Sequence, residues 1–135
     1  MAGRQNAAMD SLPIQEPSTR RALRRASLSL RCMPFRRSFY EQVDRQAISA
    51  AELCRRSNWQ QLVFAPFGEE RAEAHFRWLI RLGVLRREVD GQGLTERVRL
   101  TPMGRELLAS WPDEVPRASL RERIHENFRR HRPRF

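Results

Sequence analysis

Apolar residues recur along this chain at helical spacing in most segments and at alternating spacing in one. Ala22, Ala26 and Leu30 step by four with Leu23 beside them. That predicts a helix over 18–32, capped by Ser18 or Thr19, with Arg20, Arg21, Arg24, Arg25 and Arg31 over its other faces. Pro34 stops that helix and suits the first turn of the next, where Phe35, Phe39 and Val43 step by four over 34–46. Ile48 falls in a spacer long enough for one bridge-length strand. Ser49 and Glu52 form a capping-box pattern for a short helix running to about Arg56, with Leu53 and Cys54 inward. Residues 57–68 hold Trp59, Leu62, Val63, Phe64 and Phe67, too apolar for a free loop. They predict an ordered connection with one helical turn, ended by Pro66 and Gly68.

Glu69, Glu70 and Glu73 then open a helix whose positive N-terminal dipole they complement. Ala72, Phe76, Leu79 and Ile80 face inward, and Gly83 follows as its natural C-terminal stop. Val84–Val89 is strand-like, Asp90-Gly91-Gln92-Gly93 supplies turn chemistry, and Arg97-Val98-Arg99-Leu100 alternates, which makes a β-hairpin. Thr101-Pro102 is an N-cap followed by a first-turn proline, for a helix with Met103, Leu107 and Leu108 inward that Trp111-Pro112 closes. After a linker at 112–116, Ser119 and Glu122 repeat the capping box. Leu120, Ile124 and Phe128 line one face of a last helix that runs into the basic tail Arg129–Arg134. The fold class is mainly α with a small β-hairpin (α+β). Residues 1–17 read as a flexible arm, 18–111 as the domain, and 112–135 as linker plus a C-terminal amphipathic basic helix.

The order helix, short strand, helix, helix, hairpin, helix over the core 47–108 is that of a winged helix-turn-helix. Ile48–Leu53 resembles the opening of the second helix in bacterial winged-helix regulators. Trp78–Leu85 is similar to the end of their recognition helix, where a glycine turns the chain into the first wing strand. Leu100–Leu108 resembles the LT-x-x-G-x-x-LL segment that follows the wing in MarR- and PadR-like proteins. The whole chain also resembles a group of small uncharacterised cyanobacterial proteins, which implies no activity. The winged-helix resemblance implies a third helix in the major groove, a wing on the backbone or minor groove, and the flanking helices 18–32 and 118–131 as candidates for a homodimer interface, although their apolar stripes equally suit folding back on their own domain.

Composition sharpens this picture in part. The formal charge is +10, and a net positive charge attracts polyanions, but all 26 basic residues are arginine, a bias a GC-rich genome also produces. The charge is spread, with +4 in residues 1–35, +3 in 36–112 and +3 in 113–135, so the central domain is only mildly basic. Candidate DNA contacts are Arg55 and Arg56 at the end of the second helix, Arg71 and Arg77 on the third, and Arg86, Gln92, Arg97 and Arg99 on the wing. Arg86, Arg97 and Arg99 are expected to point outward, and Gly91 and Gly93 to let the tip approach a phosphate closely. Arg87 is expected at the domain edge and His75 as a structural histidine. Glu69, Glu70 and Glu73 oppose groove insertion by the third helix. With the apolar 59–67 segment they favour an alternative, a non-catalytic protein-interaction module docking on a larger complex. Association with RNA through the arginine-rich ends is a third option.

Cys32 and Cys54 lie far apart without metal-ligand spacing and are expected as packed thiols, and the three histidines add no cluster. No phosphate-cradling glycine loop, H-E-x-x-H or G-x-S-x-G is present, so neither catalysis nor a cofactor or metal is expected. No apolar run reaches a membrane-spanning length and no secretory signal opens the chain, so the expected compartment is the cytoplasm, with no membrane partner.

Overall fold

The structure, a computed structural model, describes residues 17–131, so the expected arm over 1–16 and the end of the basic tail lie outside the described residues. The elements are α1 (Pro17–Cys32), α2 (Arg37–Arg45), α3 (Ala50–Arg55), α4 (Trp59–Leu62), α5 (Glu69–Arg81), β1 (Leu85–Asp90), β2 (Gly93–Leu100), α6 (Pro102–Ala109) and α7 (Leu120–Arg130). The architecture is α+β, mostly helical with one two-stranded antiparallel hairpin.

Two boundaries differ from expectation. Helix α1 begins at Pro17 itself, so Ser18 and Thr19 lie in its first turn rather than before it. Proline suits that turn because its missing N–H would have no helical partner there anyway. Helix α2 starts at Arg37, and Phe35 is instead paired as an isolated bridge with Val63. Arg36 N–H donates to the Leu62 carbonyl at 2.8 Å and Phe64 N–H to the Pro34 carbonyl at 2.6 Å, satisfying in a sheet-like pairing the backbone that a longer helix would have used. Phe35 stays fully buried all the same.

The short connections close as their residues dictate. Both halves of the Ser49/Glu52 and Ser119/Glu122 capping boxes form. Ile48 makes a one-residue antiparallel bridge to Val98, adding a third strand position to the hairpin. Gly83, at φ 90°, ends α5 in the left-handed region that favours glycine. In the hairpin, Leu85 pairs with Leu100 and Val89 with Leu94, with a register irregularity between Arg87 and Val89. Thr101 caps α6 through its side chain, which accepts from Gly104 N–H.

One core runs through these elements. Phe35 stacks on Phe39 at 4.3 Å between ring centroids and meets Tyr40, Phe67, His75 and Phe76 at 5.7–6.1 Å. Around this cluster lie Ala26 and Leu30 of α1, Leu53 of α3, Leu79 of α5, and Val98 and Leu100 of β2. The 111–118 stretch is tied down: the Arg37 guanidinium donates to the Trp111 and Asp113 carbonyls at 2.6 and 2.8 Å, and Val115 and Ala118 are buried.

Helix α7 sits on α1 and α5 with its apolar stripe outward. Glu126 is 2% exposed, whereas Leu120, Ile124 and Phe128 are 65%, 61% and 71% exposed. Polar groups decide this orientation. Glu126 accepts from the Ser29 hydroxyl inside the α1–α7 seam and pairs with Arg129 at 3.0 Å, while Glu122 pairs with Arg31 at 3.5 Å. The stripe of α1 is packed into the core, so of the two flanking helices only α7 presents an apolar face.

The tightest backbone approach is at Gly104. A Cβ there would lie 2.5 Å from Leu100 Cδ1 and 2.8 Å from the Val84 carbonyl oxygen. Leu100 is buried and the Val84 oxygen already accepts from Thr101, so neither neighbour can yield. Gly104→Ala is expected to lower stability by about 1–3 kcal/mol in urea unfolding. Gly91→Ala, in open space with an ordinary φ, is expected to change it by less than about 0.5 kcal/mol.

Candidate nucleic-acid interface

Helix α5 carries two different surfaces. Its first turn is acidic, with Glu69 and Glu70 exposed. Its second half is basic, because Arg77 and Arg81 are four residues apart and therefore stack on one exposed face. Strand β1 brings Arg87 beside them, and the end of α7 brings Arg130. The four guanidinium groups rim a groove of about 660 Å³ floored by Trp78 and Ile80.

One carboxylate serves this group. Glu73 pairs with Arg87 and lies 3.5 Å from Arg77, and no acid among the described residues pairs with Arg81 or Arg130. Arg130 is held by neutral partners instead. Its Nη2 donates to the Ala74 carbonyl at 3.2 Å, its Nη1 lies 3.0 Å from His75 Nδ1, and its guanidinium sits 5.6 Å over the Trp78 ring. A guanidinium can only donate, so His75 Nδ1 accepts and the ring proton belongs on Nε2. Burial, and then the Arg130 charge, push His75 down to about 4, which keeps the ring neutral. His75 is thus a structural support for Arg130, edge-on to Phe35 and Phe67.

The residues expected to contact DNA are dispersed. Arg77 is in the groove. Arg56, Arg97 and Arg99 meet around a separate cleft of about 520 Å³ beside Ile48, together with Glu52 and Glu88. Arg97 and Arg99 alternate with the buried Val98 and Leu100, on the face away from the core, and are half-buried in this cleft. The Arg99 guanidinium bonds Glu88, and Arg56 donates to Asn58 Oδ1 at 3.1 Å and reaches Gln42 Oε1 at 3.5 Å. With two carboxylates against three cations, this cleft holds little net charge. Arg55 ends α3 exposed, Arg71 is exposed on α5, and Arg86 is exposed on β1. Gln92 is exposed at the hairpin tip, its backbone N–H bonded to Asp90 Oδ1 at 2.7 Å.

Beside these polar groups the tip carries two exposed apolar side chains. Val89 and Leu94 are cross-strand partners beyond the irregularity that follows Arg87, and both are exposed. Gly93 needs its φ of 115° for the turn, whereas Gly91 does not adopt a positive φ.

Sequence reasoning offers Arg81 as a donor on the third helix beside Arg77, but not Arg87 or Arg130 as groove residues. The four-residue spacing of Arg77 and Arg81 was a usable signal. Nothing in the spacing links them to Arg130, which comes from a helix almost fifty residues later.

Among the described residues, no group of three histidine, cysteine or acidic side chains could hold a metal ion, and no helix is long and apolar enough to cross a membrane. A family model described as Npun_F0494-like matches residues 16–130. The chain belongs to the Npun_F0494-like family. No curated protein and no solved structure matches it. The matched span of this Npun_F0494-like chain takes in α1 through α7, so the groove between α5, β1 and α7 lies inside the region the family shares.

The His75 environment has a pH consequence. A base whose folded value lies below its unfolded 6.5 contributes its full stability above about pH 6.5 and loses it as pH falls toward 4. Between pH 7.5 and 4.5 this group is expected to account for about 2–3 kcal/mol of lost stability. Urea unfolding of the parent and a His75→Leu variant checks this, and the variant should show a shallower decline over that window.

Proposed function

We propose that this chain is a non-catalytic, cytoplasmic winged-helix protein that grips double-stranded DNA through its phosphates. The observation that supports this most is the arginine groove, where four guanidinium groups gather and only two of them, Arg77 and Arg87, are ion-paired, both to Glu73. Helix α5 takes the place of the third helix of a winged helix, and the hairpin with the Ile48 bridge takes the place of the wing. Planar guanidinium groups suit phosphate oxygens, and each phosphate neutralised releases counterions. The acidic first turn of α5 keeps that end of the helix from phosphate, so contacts fall on its second half and carry little base readout.

On this reading, binding to random duplex DNA falls roughly a hundredfold between 50 and 200 mM salt if about four phosphates are neutralised. Arg77→Ala with Arg81→Ala reduces the slope by about two, while Arg97→Ala with Arg99→Ala has a smaller effect, because Arg99 is already paired. Fluorescence anisotropy across the salt series measures both. Absence of binding by the parent at 50 mM salt overturns the proposal. Unaltered binding by the Arg77/Arg81 variant removes the groove from it.

The outward Leu120–Ile124–Phe128 stripe favours a second reading, a protein-docking module that includes pairing with a second copy through α7. Sedimentation equilibrium over a concentration series tests the self-pairing. It should show concentration-dependent association of the parent that Ile124→Glu abolishes, and a parent that stays monomeric throughout removes that form of pairing.

A further inference from the structure

The connection over 57–68 is much longer than a simple turn between two helices needs, and its residues build something. Trp59 of α4, Val63, Pro66 and Phe67 close against Leu53 and Cys54 of α3 around a cavity of about 230 Å³. Leu53 and Val63 are buried and form the inner wall. Trp59 and Phe67 are half-buried, and Pro66 is exposed, so the hollow opens to solvent past two aromatic rings.

We propose that this cavity is a binding site for a small uncharged aromatic molecule, of the size of one substituted benzene ring. Size sets the upper limit: an apolar cavity of about 150 Å³ accepts benzene, and this one has room for a short substituent as well. Chemistry sets the class. Among the described residues no charged side chain lines the walls, so an ionic ligand would lose hydration without gaining a counter-ion. The polar feature in the wall is the Cys54 thiol, which donates to the Phe67 carbonyl at 3.6 Å. Burial, and then the Glu69 carboxylate, raise the thiol above its usual value, so the wall stays neutral and the field at the thiol disfavours an anion. Trp59 and Phe67 offer ring edges and faces to a planar guest. The site is separate from the arginine groove, and its occupancy does not depend on whether that groove binds nucleic acid.

The thiol in the wall supplies the readout. In the full chain with Cys32→Ser, the alkylation rate of Cys54 by iodoacetamide is followed against increasing benzyl alcohol and, separately, benzoate. Benzyl alcohol is expected to slow labelling saturably, by roughly five-fold when it is in several-fold excess over its dissociation constant, and benzoate is expected to leave it unchanged. A Cys54→Ser chain reports Cys32, also half-buried, whose labelling should not respond. Thermal unfolding gives a second measure that needs no thiol: benzyl alcohol should raise the melting temperature of the parent relative to a Cys54→Phe variant whose ring fills the cavity. The proposal is overturned by unchanged Cys54 labelling, by equal slowing of Cys32, by equal slowing with benzoate, or by equal stabilisation of the filled variant.

Discussion

The structure depends on the ring of Phe35. It belongs to no helix and to no extended strand, yet among the described residues it has more ring neighbours than any other aromatic side chain: Phe39 and Tyr40 of α2, Phe67 in the approach to α5, and His75 and Phe76 within α5. Its backbone bridge to Val63 fixes the ring in place from both sides of the chain. Offset-stacked and edge-on aromatic pairs gain beyond their buried area, so this cluster ties together segments far apart in sequence. The placement of α5, and with it the groove, follows from that cluster.

Arg130 reaches α5 by a chain of such dependencies. Phe35 and Phe67 hold His75 edge-on and half-buried. Burial keeps the imidazole neutral, and a neutral Nδ1 can accept from a guanidinium where a charged ring would repel it. On the other side, Glu126 inside the seam with Ser29 fixes the rotation of α7 that aims Arg130 at Ala74 and Trp78. The fourth arginine of the groove is therefore a product of the aromatic core and of a buried carboxylate together.

What the sequence made legible follows a physical divide. Local signals read correctly: both capping boxes, the Thr101-Pro102 start, the Gly83 stop and the Gly-turned hairpin each depend on a few adjacent residues. Readings that needed tertiary partners went astray or stayed open. Periodicity placed Phe35 in a helix, because stepping by four cannot reveal a backbone bridge to Val63. Alternation puts Arg97 and Arg99 opposite the buried Val98 and Leu100, but it cannot show that Glu88 and Arg56 meet them there and leave them half-buried. The stripe of Leu120, Ile124 and Phe128 fitted either a pairing face or a fold back onto the domain, and the choice between them depends on Glu126, whose hydroxyl partner Ser29 leaves the stripe facing solvent and which no spacing rule foretells. For the candidate site, single arginines could be named, whereas their assembly from α5, β1 and α7 was set by the packing of distant segments.

The outward stripe of α7 also bears on how the molecule behaves in bulk. Three large apolar side chains in a row invite contact between copies, and what opposes that contact in solution is mutual repulsion from a net charge of +10. Salt shortens the reach of that repulsion to about 10 Å at 0.1 M and leaves the apolar attraction in place. Colloidal stability is thus set against ionic strength from the start: the chain disperses best in dilute buffer, and concentrated salt favours its own association.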